Sequence, residues 1–282
     1  MQSENPALSP VAINYHLTRA CDAKCLFCFA RFANVKDHLP LEQGLELLRR
    51  LRAAGGQKLN FAGGEPTLHP HLGEVLRFAK ELGFVTGIVT NGRRLEPLLE
   101  SHGESLDWVG LSVDSSNERI QHELGRGAGD HVERCVRLAA LVRARGIRLK
   151  LNTVVTALTW HEDMSRLVLA LQPERWKVFQ VLRVEGQNDG RVEPLLVTPE
   201  QFEAFVQRHT PLVSATTRLV AEDHEAMTDS YVMIDPMGRF FGDTGGRHRE
   251  SRSILEVGVH AALSEVGYDP RKFEARGGRY DY

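Results

Sequence analysis

Val11–Phe29 reads VAINYHLTRACDAKCLFCF. Its first part, Val11–Leu17, has the alternating, β-branched and aromatic character of a strand. The remainder holds Cys21, Cys25 and Cys28, three of the chain's four cysteines, spaced C-x3-C-x2-C. A strand that runs straight into a loop of reactive side chains is the first unit of a repeating pattern. KLNFAG (58–63), VTGIVTN (85–91), WVGLSVD (108–114), LKLNTVV (149–155) and WKVFQVL (176–182) read as five more strands. Helix-period stretches lie between most of them. Leu41, Leu45, Leu48 and Leu51 recur at three- and four-residue spacing before Gly55-Gly56 stops the helix. Asp130 and Glu133 stand at capping-box spacing ahead of a helix that closes on Gly146.

Six βα units predict parallel strands with right-handed crossovers, too few for an eight-stranded closure. The expected fold is α/β: a partial (βα)6, TIM-like barrel over 1–182, with a C-terminal α+β extension over 183–282. In the extension, Thr198 and Pro199 read as N-cap and first residue of a helix. DSYVMIDPMGRFFG (229–242) reads as a hairpin turned at Asp235-Pro236. We expect the extension to pack on the barrel and to contribute to the substrate site.

The formal net charge of −2 gives no sign of a nucleic-acid-coating protein. The polar start MQSENPALSP lacks the apolar core of a signal peptide, and no stretch of about 18 apolar residues marks a membrane span. Clustered cysteines in a chain of 282 residues do not read as a secreted disulfide framework. The expectation is a cytoplasmic protein with reduced thiols, without membrane or nucleic-acid partners.

Three thiolates on one short loop can wrap one face of a cubane iron–sulfur cluster and leave one iron open. A structural zinc site using the cysteines and His16 competes with that reading, as do three ordinary buried cysteines. Cys135, alone in a helix, reads as core. FAGGEP (61–66) follows the second strand, and its paired glycines permit close backbone approach. TNG (90–92) and Ser112 end the third and fourth strands. Arg126, just ahead of a helix, would suit a carboxylate. Lys58, Lys150, Arg175 and Lys177 lie at or near strand starts. Lys150 shares a strand face with Asn152, and Arg175 shares one with Lys177. If those faces point inward, the cations surround a polyanion of about four charges, because burying them without one is costly.

The cysteine motif with GGEP resembles the radical S-adenosylmethionine superfamily, with Phe27 at the place of its usual aromatic. NYHLTRACDAKCLFCF, KLNFAGGEP, LGRGAGDHVE, RWKVFQVLRVEGQN, DSYVMID and RGGRY together resemble the viperin family, from about residue 11 to 282. The membrane helix of animal viperins has no counterpart, so the resemblance is to the soluble, prokaryotic type. Ala30 also departs from the His that animal viperins usually carry there.

The resemblance implies a [4Fe–4S] cluster on Cys21, Cys25 and Cys28, with S-adenosylmethionine on its open iron. It implies that Phe27, Gly63, Gly64, Glu65, Thr90, Asn91, Ser112 and Arg126 border that cofactor. It implies a monomer served by an electron donor such as flavodoxin or ferredoxin. The implied reaction converts a ribonucleoside triphosphate, CTP first and UTP or GTP as alternatives, to a 3′-deoxy-3′,4′-didehydronucleotide, an antiviral chain terminator. Lys58, Lys150, Asn152, Arg175 and Lys177 would hold the triphosphate, with Asn14 a further substrate contact. Tyr231 is the candidate for the closing hydrogen donation, and RGGRYDY (276–282) for a lid. Two alternatives stand beside this: another radical enzyme acting on a nucleotide, and a zinc-stabilised binding module. The GTP-cyclising enzymes of molybdenum-cofactor synthesis are disfavoured, since no cysteine follows Cys135.

Overall fold

The computed structural model describes residues 9–212 and 217–282. Its elements are β1 (Ala12–His16), α1 (Leu41–Ala53), β2 (Lys58–Ala62), α2 (Leu72–Glu81), β3 (Val85–Thr90), α3 (Leu95–His102), β4 (Trp108–Ser112), α4 (Glu118–Glu123), α5 (His131–Ala144), β5 (Arg148–Val155), α6 (Ser165–Leu171) and β6 (Arg175–Gln180). There follow α7 (Pro199–His209), β7 (Arg218–Glu222), α8 (His224–Met227), β8 (Val232–Ile234), β9 (Arg239–Gly242), β10 (Arg249–Ser253), α9 (Ile254–Val257), α10 (Val259–Leu263) and α11 (Pro270–Ala275). All six expected strands form, each within two residues of its expected ends.

The sheet goes further than six strands. β7 pairs parallel with β6, and β8 pairs parallel with β1. The order is β10-β9-β8-β1-β2-β3-β4-β5-β6-β7, so the sheet runs without a break past Leu182. The expected hairpin is present as antiparallel β8 and β9, with Asp235 accepting the N–H groups of Met237 and Arg239 at the turn. Its other edge joins the barrel, a pairing between residues more than 200 positions apart that no local pattern announces.

The parallel run curls until its ends meet. The phenol of Tyr231, just ahead of β8, donates to the carboxylate of Glu222 at the end of β7. Side chains close this gap where no ladder does.

Two-residue alternation decides what faces inward. Along β5, Leu149, Leu151, Thr153 and Val155 are buried beneath the helices. Lys150, Asn152 and Val154 line the interior cavity instead. The register sets Lys150 beside Arg175 and Asn152 beside Lys177. It likewise sets Asn14 beside Asn60.

Outside, α1 buries Leu47, Leu48 and Leu51, while Leu41 and Leu45 are half-buried. The Thr198–Gln201 capping box of α7 is reciprocal, as expected. At α5 the expected box is replaced. Asp130 pairs with Arg134, and the Glu118 carboxylate accepts the N–H groups of His131 and Val132 at 2.9 and 2.6 Å. A carboxylate from another helix meets the orphan donors and the positive helix end in one contact.

Candidate active site

One cavity of about 350 Å³ runs along the barrel axis, within the range of small-ligand sites. Its upper end is the cysteine loop beyond β1. Its lower end is the basic set near the strand starts.

At the upper end Cys21, Cys25 and Cys28 are free thiols and all line the cavity. Backbone ties hold their loop on one side: Lys24 N–H donates to the Gly125 carbonyl at 2.8 Å, and Leu26 N–H to that of Leu124 at 3.0 Å. Burial pushes all three thiols up, Cys25 to about 12. Ligation of a metal would reverse that, since the bound form is the thiolate. Cys135 is fully buried, with its sulfur 3.8 Å from His131 Nε2, and belongs to the core as expected.

The GGE loop packs against the lead-in to the cysteines. Gly64 N–H donates to the Thr18 carbonyl at 2.6 Å, and Glu65 N–H to that of Ala20 at 2.7 Å. A Cβ on Gly64 would lie 2.3 Å from the Ala20 oxygen. The close approach that calls for glycine is therefore to this chain's own backbone. Gly63 and Gly64 also line the cavity.

Glu65 is buried, and its carboxylate is taken up by neighbours. It accepts from Thr67 Oγ1 and Thr90 Oγ1, each at 2.7 Å, and from Asn91 N–H at 2.8 Å. Asn91 Nδ2 in turn donates to Asp22 at 2.7 Å, between two of the cysteines' neighbours. Glu65, Thr90 and Asn91 thus form a brace that joins the ends of β2 and β3 to the cysteine loop.

Ser112 lines the cavity at the end of β4. Arg126 is no solvated loop charge. Its Nε donates to the buried carboxylate of Asp114, and its guanidinium lies 5.4 Å over the Phe27 ring. Phe27 itself is buried.

At the lower end Lys58, Lys150, Asn152, Arg175 and Lys177 line the cavity, with Asn14, Tyr231, Arg276 and Tyr280. Lys58 and Lys150 both donate to the phenol oxygen of Tyr280. Arg175 stacks 3.9 Å over the same ring. The C-terminal segment thus floors the basic chamber. Burial, with the neighbouring cations, pushes Lys58 down to about 7 and Lys150 well below the usual range. Burial also lowers Lys177, to about 8, against the pull of Glu222 at 2.7 Å. Asn152 Oδ1 and Arg175 Nε are buried without a hydrogen-bond partner. Crowded cations and orphaned polar atoms in one chamber are what an anionic ligand would satisfy.

Residues 15–167 match the Radical SAM superfamily. The chain is 42% identical over 281 residues to an S-adenosylmethionine-dependent nucleotide dehydratase of Flammeovirga pacifica, spanning 96% of each chain. The chain belongs to the radical SAM superfamily, in its viperin-like family. It is 37% identical over 291 residues to the S-adenosylmethionine-dependent nucleotide dehydratase RSAD2 of Danio rerio, spanning 99% of this chain and 80% of that one. SuiB of Streptococcus suis, solved with S-adenosylmethionine, shares the fold with a TM-score of 0.71 at 19% identity, over 97% of this chain and 69% of SuiB.

This radical SAM protein is an enzyme that uses a [4Fe–4S] cluster and S-adenosylmethionine. The donor set fits the cluster: three thiols on one loop share one cavity wall, with Arg126 facing Cys25 and Cys28. A cubane takes one thiolate per iron. Among the described residues no helix is long and apolar enough to cross a membrane.

Reading the sequence missed Asp114 and Glu222, while Arg276 and Tyr280 fall in the RGGRYDY segment expected to lie over the substrate. Asp114 closes a recognised strand, and its acidic side chain beside buried apolar residues was a usable signal. Glu222 stands in AEDHE, which reads as a solvated charge run, yet its side chain is fully buried.

Proposed function

We propose that this enzyme dehydrates a ribonucleoside triphosphate, CTP in first place and UTP or GTP as alternatives, to its 3′-deoxy-3′,4′-didehydro form. The observation that carries the reading is the continuity of the cavity: the cysteine loop and a chamber of crowded cations line one space. The named activity of the relatives, nucleotide dehydration, supports it.

When bound, the cluster and S-adenosylmethionine supply a carbon radical able to take a hydrogen atom. The chain's own residues do the rest. Lys58, Lys150, Arg175 and Lys177 neutralise the triphosphate, with Asn152 and Asn14 as further polar contacts. This fixes the ribose between the two ends of the cavity, with C4′ toward the cysteines. Loss of the C4′ hydrogen and the C3′ hydroxyl, the latter leaving as water, requires one further electron and one proton. Tyr231 is suited to deliver them as a hydrogen equivalent, since Lys177 and Glu222 fix its phenol. A one-electron donor protein of the flavodoxin or ferredoxin type would restore it. Residues 183–282 act as an extension that completes the substrate site through Tyr231, Arg276 and the RGGRYDY segment. The enzyme works as a cytoplasmic monomer.

The test is anaerobic turnover of reconstituted protein with S-adenosylmethionine, dithionite and each nucleoside triphosphate in turn, read by mass spectrometry. The expected product is one nucleotide lighter by a single water, formed together with 5′-deoxyadenosine. Deoxyadenosine with no altered nucleotide would keep the radical chemistry and remove the substrate assignment.

A further inference from the structure

The segment VEGQN (184–188), beyond β6, has no role in the chemistry above, yet it grips the cysteine loop. We infer that Gln187 and Asn188 are positioning residues for the iron–sulfur cluster, setting how firmly it is held and the potential at which it accepts an electron. Gln187 Oε1 accepts two successive N–H groups, of Arg31 at 2.8 Å and Phe32 at 2.9 Å. These lie at a kink: Phe32 is buried and has φ of 49°, a left-handed conformation that bulky residues rarely hold. Asn188 is fully buried. Its Nδ2 donates to the Phe27 carbonyl at 3.1 Å and to that of Leu182 at 2.8 Å, while Oδ1 accepts Val184 N–H at 2.8 Å. Asn188 therefore welds the exit of β6 to the peptide joining Phe27 to Cys28.

Between the two anchors lie Cys28, Phe29 and Ala30. Cys28 is thereby held between two fixed stretches of backbone, at Phe27 and at the Arg31–Phe32 kink. Hydrogen bonds to cluster sulfurs and solvent access tune such potentials, and donors favour the more negative, reduced state. The Leu124 and Gly125 carbonyls hold the loop on its other side. Removing the Gln187 oxygen leaves two N–H groups unpaired at the kink and frees the segment that carries Cys28. The potential should then shift, and oxygen should reach the cluster sooner.

The experiment is a redox titration of the reconstituted holoenzyme without nucleotide, followed by electron paramagnetic resonance, beside the rate of cluster bleaching in air. For Gln187→Met we expect the reduced-to-oxidised ratio at fixed potential to change about tenfold, ~59 mV for a one-electron couple, with faster bleaching. Gln187→Glu keeps an acceptor at the same reach and should bleach at the wild-type rate. Wild-type potential and bleaching in Q187M overturns the inference, and so does bleaching of Q187E as fast as Q187M. If Q187M does not fold, Gln187→Asn withdraws the oxygen by one methylene and is read in the same way. No nucleotide enters these measurements, so their failure leaves the substrate proposal standing, and the reverse also holds.

Discussion

The two ends of the cavity are built on opposite plans. The cysteine end comes from one loop and its neighbours, and nearly every polar group there has a partner within the chain. Glu65 takes donors from Thr67, Thr90 and Asn91, and Asp114 takes one from Arg126. The basic end is assembled from β2, β5, β6 and the C-terminal segment, and its charges oppose one another. Lys58 and Lys150 meet at a single neutral phenol. The first end is prepared for a cofactor that stays. The second is left unsatisfied, and under the proposed function its anion comes and goes. The difference predicts that damage above should remove chemistry outright, and damage below should weaken nucleotide binding while relieving the free protein.

The largest effect belongs to the cysteines. Cys25→Ala should abolish both 5′-deoxyadenosine formation and nucleotide conversion, with loss of the brown cluster chromophore. Retained colour and cofactor cleavage would mean that the loop is not the cluster site. Next comes Tyr231, held at the lower end by Lys177 and Glu222. Tyr231→Phe removes the donor proton and keeps the ring under Arg276 at 3.7 Å. Product formation should slow by roughly 10²–10⁴-fold, the span of a positioned proton-transfer group, with deoxyadenosine release spared. Undiminished product yield would take Tyr231 out of the chemistry.

The contrast also explains what could be read beforehand. The cysteine end is local: Cys21 to Cys28 and Phe61 to Pro66 carry their pattern within a few residues each, and all six strands that present them have clear alternation. That Lys150 shares a face with Asn152, and Arg175 with Lys177, followed from period two; that this face points inward is seen only in the cavity they line. Arrangements set by distant pairing did not show. β7 has only Leu219, Val220 and Ala221 between charged ends, so its burial of Glu222 depends on β6 and on the curl of the sheet. Tyr280 at the chamber floor, 222 residues from Lys58, depends on where the chain's end is laid down. The paired glycines were legible as a close approach, while its target, the Thr18–Ala20 backbone, was not.

The lower end can be tested by a substitution with two opposite signs. Lys150→Met keeps the stem and removes the charge. Each charge-assisted contact is worth about 1.5–3 kcal/mol, so KM for the nucleotide should rise roughly 10- to 100-fold. In the free protein the same change removes a buried amine crowded by Lys58, Lys177 and Arg175. The melting temperature should therefore rise, by roughly 2–4 °C per kcal/mol gained. A structural lysine would lower the melting temperature, and a solvated one would move neither quantity.

The smallest effect is a pH dependence whose sign is fixed by the lowered lysines. In the free protein Lys58 titrates near 7 and Lys177 near 8, against 10.5 for an ordinary lysine. A folded-state value below the unfolded one means that folding releases protons, so these groups destabilise the free fold at low pH. That penalty fades as pH rises from about 7 toward 10.5. A bound triphosphate reverses the preference by favouring the ammonium forms. Binding must then take up protons above pH 7, and affinity must fall as pH rises. Between pH 7 and 8 Kd should increase, approaching about tenfold per pH unit once Lys58 is neutral in the free protein, with Lys177 adding above about 8. Calorimetry of nucleotide binding, without reductant, in two buffers of different ionisation enthalpy measures both the slope and the proton uptake. A flat Kd with no proton uptake would mean that the nucleotide does not draw a proton onto Lys58, and the proposed division between a satisfied and an unsatisfied end would fail at the lower one.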